Sequence, residues 1–158
     1  PLRGFSIQNS LPVPYVSTPS VTIAGTTGHE VQYGSDENDA TYYENSANGC
    51  PEYTLDLGAA AAVARVRILM ELDFYDVNGL FYSVDNVSWT GLHRWETEGG
   101  VLDLDVNCSI NARYLKLRMG GCRYTKKKIY EFKAYSASGM GAAVNNETLS
   151  SMCSGICR

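Results

Sequence analysis

Apolar residues at every second position, interrupted every few residues by a turn, most constrain what this chain can fold into. Tyr53, Leu55 and Leu57 alternate with Thr54 and Asp56, and Val63, Val66, Ile68 and Met70 mark a second apolar-rich strand with one break in strict alternation. Successive strand side chains point to opposite faces, so this spacing gives each segment one buried and one solvated face. FYSV, VLDLDV, RYLKLRM and KIYEFKAYS are further strand segments, VTIAG is an earlier one, and GSDENDATYYENSANGCP reads as a long polar loop. Fifteen glycines and eleven tyrosines among 158 residues push towards strands and turns. The intervals are those of an all-β sandwich or jelly roll and not of βαβ units. AAAAV, residues 59–63, is the one helix-prone run, but it follows a glycine and is too short to stand alone, so a turn or single helical turn is expected there.

Four of the five prolines, Pro1, Pro12, Pro14 and Pro19, fall in the first twenty residues. Proline lacks the ladder donor, so residues 1–20 read as an extended arm or edge strand, residues 21–137 as the sandwich, and residues 138–158 as a cysteine-containing tail. No run approaches the 18 or so apolar residues of a membrane-spanning helix, and PLRGFSIQNS lacks the layout of a signal peptide. Cys50, Cys108, Cys122, Cys153 and Cys157 have spacings that fit no zinc ribbon or CxxC redox pair. Disulfides are the expected use, with pairing open and one thiol left free or bridging to another chain. Sequons at Asn86, Asn107 and Asn146 agree with a glycosylated, secreted protein. A net charge of −4 gives no general field for nucleic acid.

The segments also follow a recognisable order. DENDATYYENSANGCPEYTLDLG carries an Asp/Asn loop, a Thr-aromatic pair and a strand ending in Asp-Leu-Gly. GLFYSVDNVSW matches a Tyr-x-Ser-x-Asp-Gly-x-x-Trp turn with Asn86 in place of Gly, and NARYLKLRM and KIYEFKAYS match an Ala-Arg-Tyr-x-x-Leu strand and a closing Ile-x-Glu-x-x-x-Tyr strand. Together, over about residues 21–137, these resemble the discoidin domain (coagulation factor 5/8 type C) of the galactose-binding-like fold. The resemblance implies a jelly-roll sandwich for these residues, flanked by the N-terminal arm and the C-terminal tail. Asn86 tolerates positive φ, so Asp85-Asn86 is expected to turn the hairpin and return Trp89 to the core.

Catalysis is not expected. The chain has only His29 and His93, with no GxSxG elbow, HExxH helix or phosphate-cradling loop, and Asp103 and Asp105 on one strand read as solvated charges on a shared face. The resemblance implies instead a structural calcium between the polar loop and the closing strand, with Asp36, Asn38, Thr41 and Glu131 as the matching oxygen donors. It also implies ligand binding at loops on one end of the sandwich. In DFYDVNG, Asn78 matches a sugar-binding asparagine of carbohydrate-binding members, the matching arginine is missing, and Phe74 and Tyr75 offer a stacking face. By analogy with lipid-binding members, Trp95 beside Arg94, and Tyr124 near Arg123, Lys126, Lys127 and Lys128, form apolar spikes with basic neighbours suited to sulfated glycans or anionic head groups. The candidate ligand set is therefore Tyr75, Asn78, Arg94, Trp95, Arg123 and Tyr124. The expected function is a secreted, non-enzymatic binding or adhesion module for a glycan or other cell-surface or matrix ligand. The alternative is a self-assembling subunit of an extracellular filament or matrix, joined through the proline-rich arm.

Overall fold

The computed structural model describes residues 13–122 and 127–137, with the side chains of 73–76 and 97–98 outside the description. Arg123, Tyr124, Asn146, Cys153, Cys157, the Tyr75 side chain and the tail from 138 onward therefore lie outside the described residues. The elements in chain order are β1 (Thr18–Val21), a 3₁₀ turn (Val31–Gly34), β2 (Tyr43–Glu44), β3 (Glu52–Ser83), β4 (Thr90–Arg118) and β5 (Lys128–Tyr135).

β3 and β4 are continuous ribbons that bend from one layer into the other, with register shifts where they do so. In the front layer, residues 114–118 lie between 52–56 and 79–83, residues 90–94 pair the far side of 79–82, and β1 pairs the far side of 53–56. In the back layer, residues 65–72 lie between 100–107 of β4 and β5, whose start pairs β2. All these pairings are antiparallel. Tyr53, Leu55, Leu80, Leu115 and Leu117 of the front layer and Val66, Ile68, Met70, Val106, Ile129 and Phe132 of the back layer form one buried cluster. The period-two reading therefore placed the core correctly, except that Leu57 is only half-buried beside the shift that follows Asp56.

The alanine run corrects the helical expectation. Residues 59–63 are strand, with Ala61, Ala62 and Val63 opposite Ala112, Asn111 and Ile110. A run this short gains little from propensity alone, and cross-strand pairing decides its conformation. The proline-rich segment takes the edge position. Pro19 sits in β1 opposite Leu55. Further upstream, the Tyr15 N–H donates to the Ala134 carbonyl and the Ser136 N–H to the Val13 carbonyl, both at 2.9 Å. Residues 13–21 thus bind their own sandwich, and residues 1–12 lie outside the description.

The Asp85-Asn86 turn forms as expected. Asn86 has φ of +61°, Asp85 Oδ1 accepts the N–H groups of Val87 and Ser88 at 2.9 and 2.8 Å, and Ser83 Oγ accepts those of Asp85 and Asn86. Those bonds, from Ser88 first and then Val87, hold the Asp85 carboxyl down to about 2. Trp89 does not return to the core. It is half-buried with the Lys116 ammonium 3.9 Å from its ring centre, and Lys116 in turn pairs with Glu52 at 3.0 Å. Asp103 and Asp105 share a face but are ion-paired, with Arg67 and Arg65 respectively.

Cys50 and Cys122 form a disulfide, with Cα atoms 4.4 Å apart, and Cys108 is a free, half-buried thiol. The bridge ties the end of the polar loop to the chain leaving β4. Beside it, Lys127 is 2% exposed and donates to the carbonyls of Gly49 and Gly121 at 2.6 and 2.7 Å. Lys128 lies near Glu71 and Glu44 and over the Tyr42 ring. Two lysines of the expected basic hairpin tip are therefore committed to the fold, a correction to their reading as a ligand-facing cluster.

Candidate functional site

Two places gather the predicted functional residues. The first is the loop that follows the 3₁₀ turn. Asp36 Oδ1 accepts the Asn38 N–H at 3.0 Å, the Thr41 hydroxyl donates to Asp36 Oδ2 at 2.6 Å, and Asn38 Oδ1 accepts the Ala40 N–H at 3.0 Å. Glu37 takes φ of +62° and donates its N–H to Glu131 Oε2 at 2.9 Å, which brings the closing strand to the loop. Arg67 fastens the loop from below, its guanidinium forked to Asp39 at 3.1 and 2.9 Å and to Asp103 at 3.2 Å.

Glu131 is the unusual member. It is 1% exposed, and its Oε1 has no hydrogen-bond partner among the described residues. Burial pushes its carboxyl up to about 7, with Asp36 and Asp39 adding to the rise against the lowering influence of Lys133 and the Glu37 N–H. An orphaned carboxylate oxygen beside Asp36, Thr41 and loop carbonyls is an all-oxygen donor set, which fits a hard cation such as calcium. No cluster of three or more His, Cys, Asp or Glu that could hold a metal occurs among the described residues. The set has two carboxylates and otherwise neutral oxygens.

The second place is a cleft of about 660 Å³ at the disulfide end of the front layer. Its lining includes Cys50, Cys122, Met119 and Gly120 on one side, Asn78, Gly79 and Phe81 of β3 along the floor, and Leu92, His93 and Arg94 of β4 on the other side with Arg118. Asn78 is 1% exposed, and its Oδ1 accepts the Gly120 N–H at 3.3 Å. Gly120 can pack there only because it has no side chain: a Cβ would lie 2.4 Å from the Val77 carbonyl oxygen. Gly79 leaves room for the Phe81 ring, which a Cβ at 79 would meet at 2.7 Å, whereas a Cβ at 91 would make an ordinary contact with it at 3.9 Å. Outside the lining, Trp95 stacks on His93 with ring centres 5.6 Å apart and packs its other parts on the core.

The structure thus brings Asn78 and Arg94 into one cleft with Trp95 behind its His93 wall. Tyr75, at the backbone, pairs Glu98, three registers beyond the Asn78–Trp95 pair. The sequence reading missed Arg118, His93, Phe81 and the glycines. Arg118 and Arg94 are 24 residues apart in β4, and only the register that sets both opposite Gly79 reveals them as neighbours.

Comparison with solved structures gives the architecture its name. The family 32 CBM from C. perfringens NanJ, solved in complex with galactose, superposes with a TM-score of 0.67 at 17% identity, over 80% of this chain and 100% of that one. The fold is of the discoidin, galactose-binding-like type. Chitosan-binding module 1 from a chitosanase/glucanase of Paenibacillus sp. IK-5 matches at 22% identity and a TM-score of 0.63, over 76% of this chain and 95% of the module. A Ruminococcus gnavus GH29 fucosidase in complex with fucose matches at 22% and 0.65, but this discoidin-type sandwich spans only 25% of that enzyme. At these identities the likeness is one of fold. No family model matches the chain, and no curated protein matches it.

Proposed function

We propose that this discoidin-type sandwich is a non-catalytic, secreted glycan-binding module that holds its ligand in the cleft over Phe81. The observation that carries the reading is the cleft itself. An aromatic ring lies on a floor opened by Gly79, ringed by Asn78, His93 and two arginines, in a sandwich built like modules that hold galactose and chitosan. The disulfide and the exposed sequons at Asn86 and Asn107 support an oxidising, extracellular setting. Asp36, Asn38, Thr41 and Glu131, with loop carbonyls, would hold a calcium that stiffens the loop and supplies no chemistry. The all-oxygen donors and the orphaned Glu131 oxygen support this part. Assembly through the arm is the weaker reading, because residues 13–21 already pair within their own chain.

A panel of immobilised glycans probed with the native protein and with Phe81→Ala tests the binding. Saturable binding that drops at least tenfold in the variant is expected, while no binding to any glycan overturns the reading. Calcium is tested separately by melting with and without EGTA. A fall in Tm on chelation, restored by added calcium, is expected, and an unchanged Tm removes the metal from the proposal.

A further inference from the structure

The cleft has a charge pattern that narrows its ligand. In the front layer Gly79 is opposite Arg118 on one side and Arg94 on the other, so the three residues form one row across three strands. Directly opposed residues present their side chains to the same face, and two strand spacings set the arginine Cα atoms about 10 Å apart. Gly79 between them carries no side chain, so two guanidinium-bearing arms flank an open floor. Phe81, two residues on and therefore on the same face, lays its ring across that floor.

Both arginines are exposed and line the cleft, and neither forms an ion pair among the described residues. This sets them apart from their neighbours, since Arg65, Arg67, Arg113 and Lys116 are each matched with an acid. None of the described lining residues is acidic. The acid nearest in register, Glu52 opposite Arg118, is bonded to Lys116 at 3.0 Å. On a chain with net charge −4, leaving two arginines unmatched across one row is a local reversal of sign. A guanidinium fork matches the planar oxygens of a carboxylate or a sulfate bidentately, in a geometry that neutral hydroxyls do not fill.

We infer that the cleft selects an acidic saccharide, one whose ring rests on Phe81 while its carboxylate or sulfate is clasped by Arg94 and Arg118. This inference rests on the glycan-binding reading and adds the charge class of the ligand. It also excludes a polycation: the protonated amines of chitosan would meet two arginines and no acid among the described lining residues.

Calorimetric titration of the native protein with trigalacturonate, a sulfated heparin disaccharide, neutral galactobiose and a chitosan trimer tests it, repeated at low and high salt. One or both acidic sugars are expected to bind at least tenfold more tightly than galactobiose, with affinity falling as salt rises, and the chitosan trimer is expected not to bind. Which acidic sugar binds identifies the anion as carboxylate or sulfate. The Arg94→Gln/Arg118→Gln double variant removes both charges and keeps polar side chains, and at an unchanged Tm it should lose that tenfold preference for the acidic sugar over galactobiose. Equal affinity for acidic and neutral sugars, or an acidic-sugar affinity unmoved in the double variant, overturns the acidic selection and leaves glycan binding standing. Absence of binding to any of the four sugars overturns both.

Discussion

Replacing both cysteines of the Cys50–Cys122 bridge with serine should cost the protein several kcal/mol of stability. The bridge closes a loop of 72 residues. In the chain-entropy account a loop of that length removes about 15 cal/mol/K from the unfolded ensemble, or about 4 kcal/mol at 25 °C. Cys122 is exposed and Cys50 half-buried, so serine at either position adds little cavity cost. The bridge also sets the backbone whose Gly49 and Gly121 carbonyls hold the buried Lys127 ammonium. If those loops separate, Lys127 is left buried without its acceptors, which adds to the loss. For a domain of this size 1 kcal/mol moves Tm by roughly 2–4 °C, so Cys50→Ser/Cys122→Ser should melt roughly 8–16 °C below the native protein. Calorimetry supplies Tm and urea titration the free energy, and native protein in excess reductant should behave as the double variant does. A double variant melting within about 2 °C of the native protein would refute the reasoning, because it would mean that the bridge restrains the unfolded chain far less than closure of a loop of this length should.

Two further outcomes follow from the same geometry. With its carboxyl raised by burial from the ordinary 4.5 to about 7, Glu131 binds its proton more tightly folded than unfolded. In EGTA the native protein should therefore lose stability as pH rises from about 4.5 to 7, by on the order of 3 kcal/mol relative to Glu131→Gln. Parallel curves for the two proteins in urea titrations across that range would contradict this. Gly120→Ala forces a Cβ against the Val77 backbone and should cost about 1–3 kcal/mol, whereas Gly91→Ala, whose Cβ meets the Phe81 ring at 3.9 Å, should stay within about 0.5 kcal/mol of the native protein. Equal melting temperatures for the two alanine variants would show that the cleft wall yields at Gly120.

Alternation was the legible part of this fold. Tyr53, Leu55, Val66, Ile68 and Met70 could be assigned to the core because a strand offers each residue only two faces, and the buried one must be apolar. Asn86 was legible for a similar reason, since few residues accept its φ. The alanine run was not, because its strand conformation comes from partners at 110–112 that lie nearly fifty residues away. Trp89 and Lys127 escaped for the same reason: one is held by Lys116 on a neighbouring strand, the other by carbonyls that a disulfide brings together. In the candidate cleft, Asn78 and Arg94 were found from their motifs. Arg118 and Phe81 acquire meaning only through Gly79, whose missing side chain lets three strands act as one surface.

The pairing of Val13 with Ser136 carries a mechanical consequence. Both routes into the sandwich leave from a single point at the far end of β5. The cleft lies by the near end, where Lys127 grips the disulfide loops. Eight residues of strand separate the two, about 25 Å. Anything attached beyond Val13 or Ser136 would hold the sandwich as a stalk holds a flower, by one end with its mouth turned outward. A pull on that point would not run along the strands that carry the cleft.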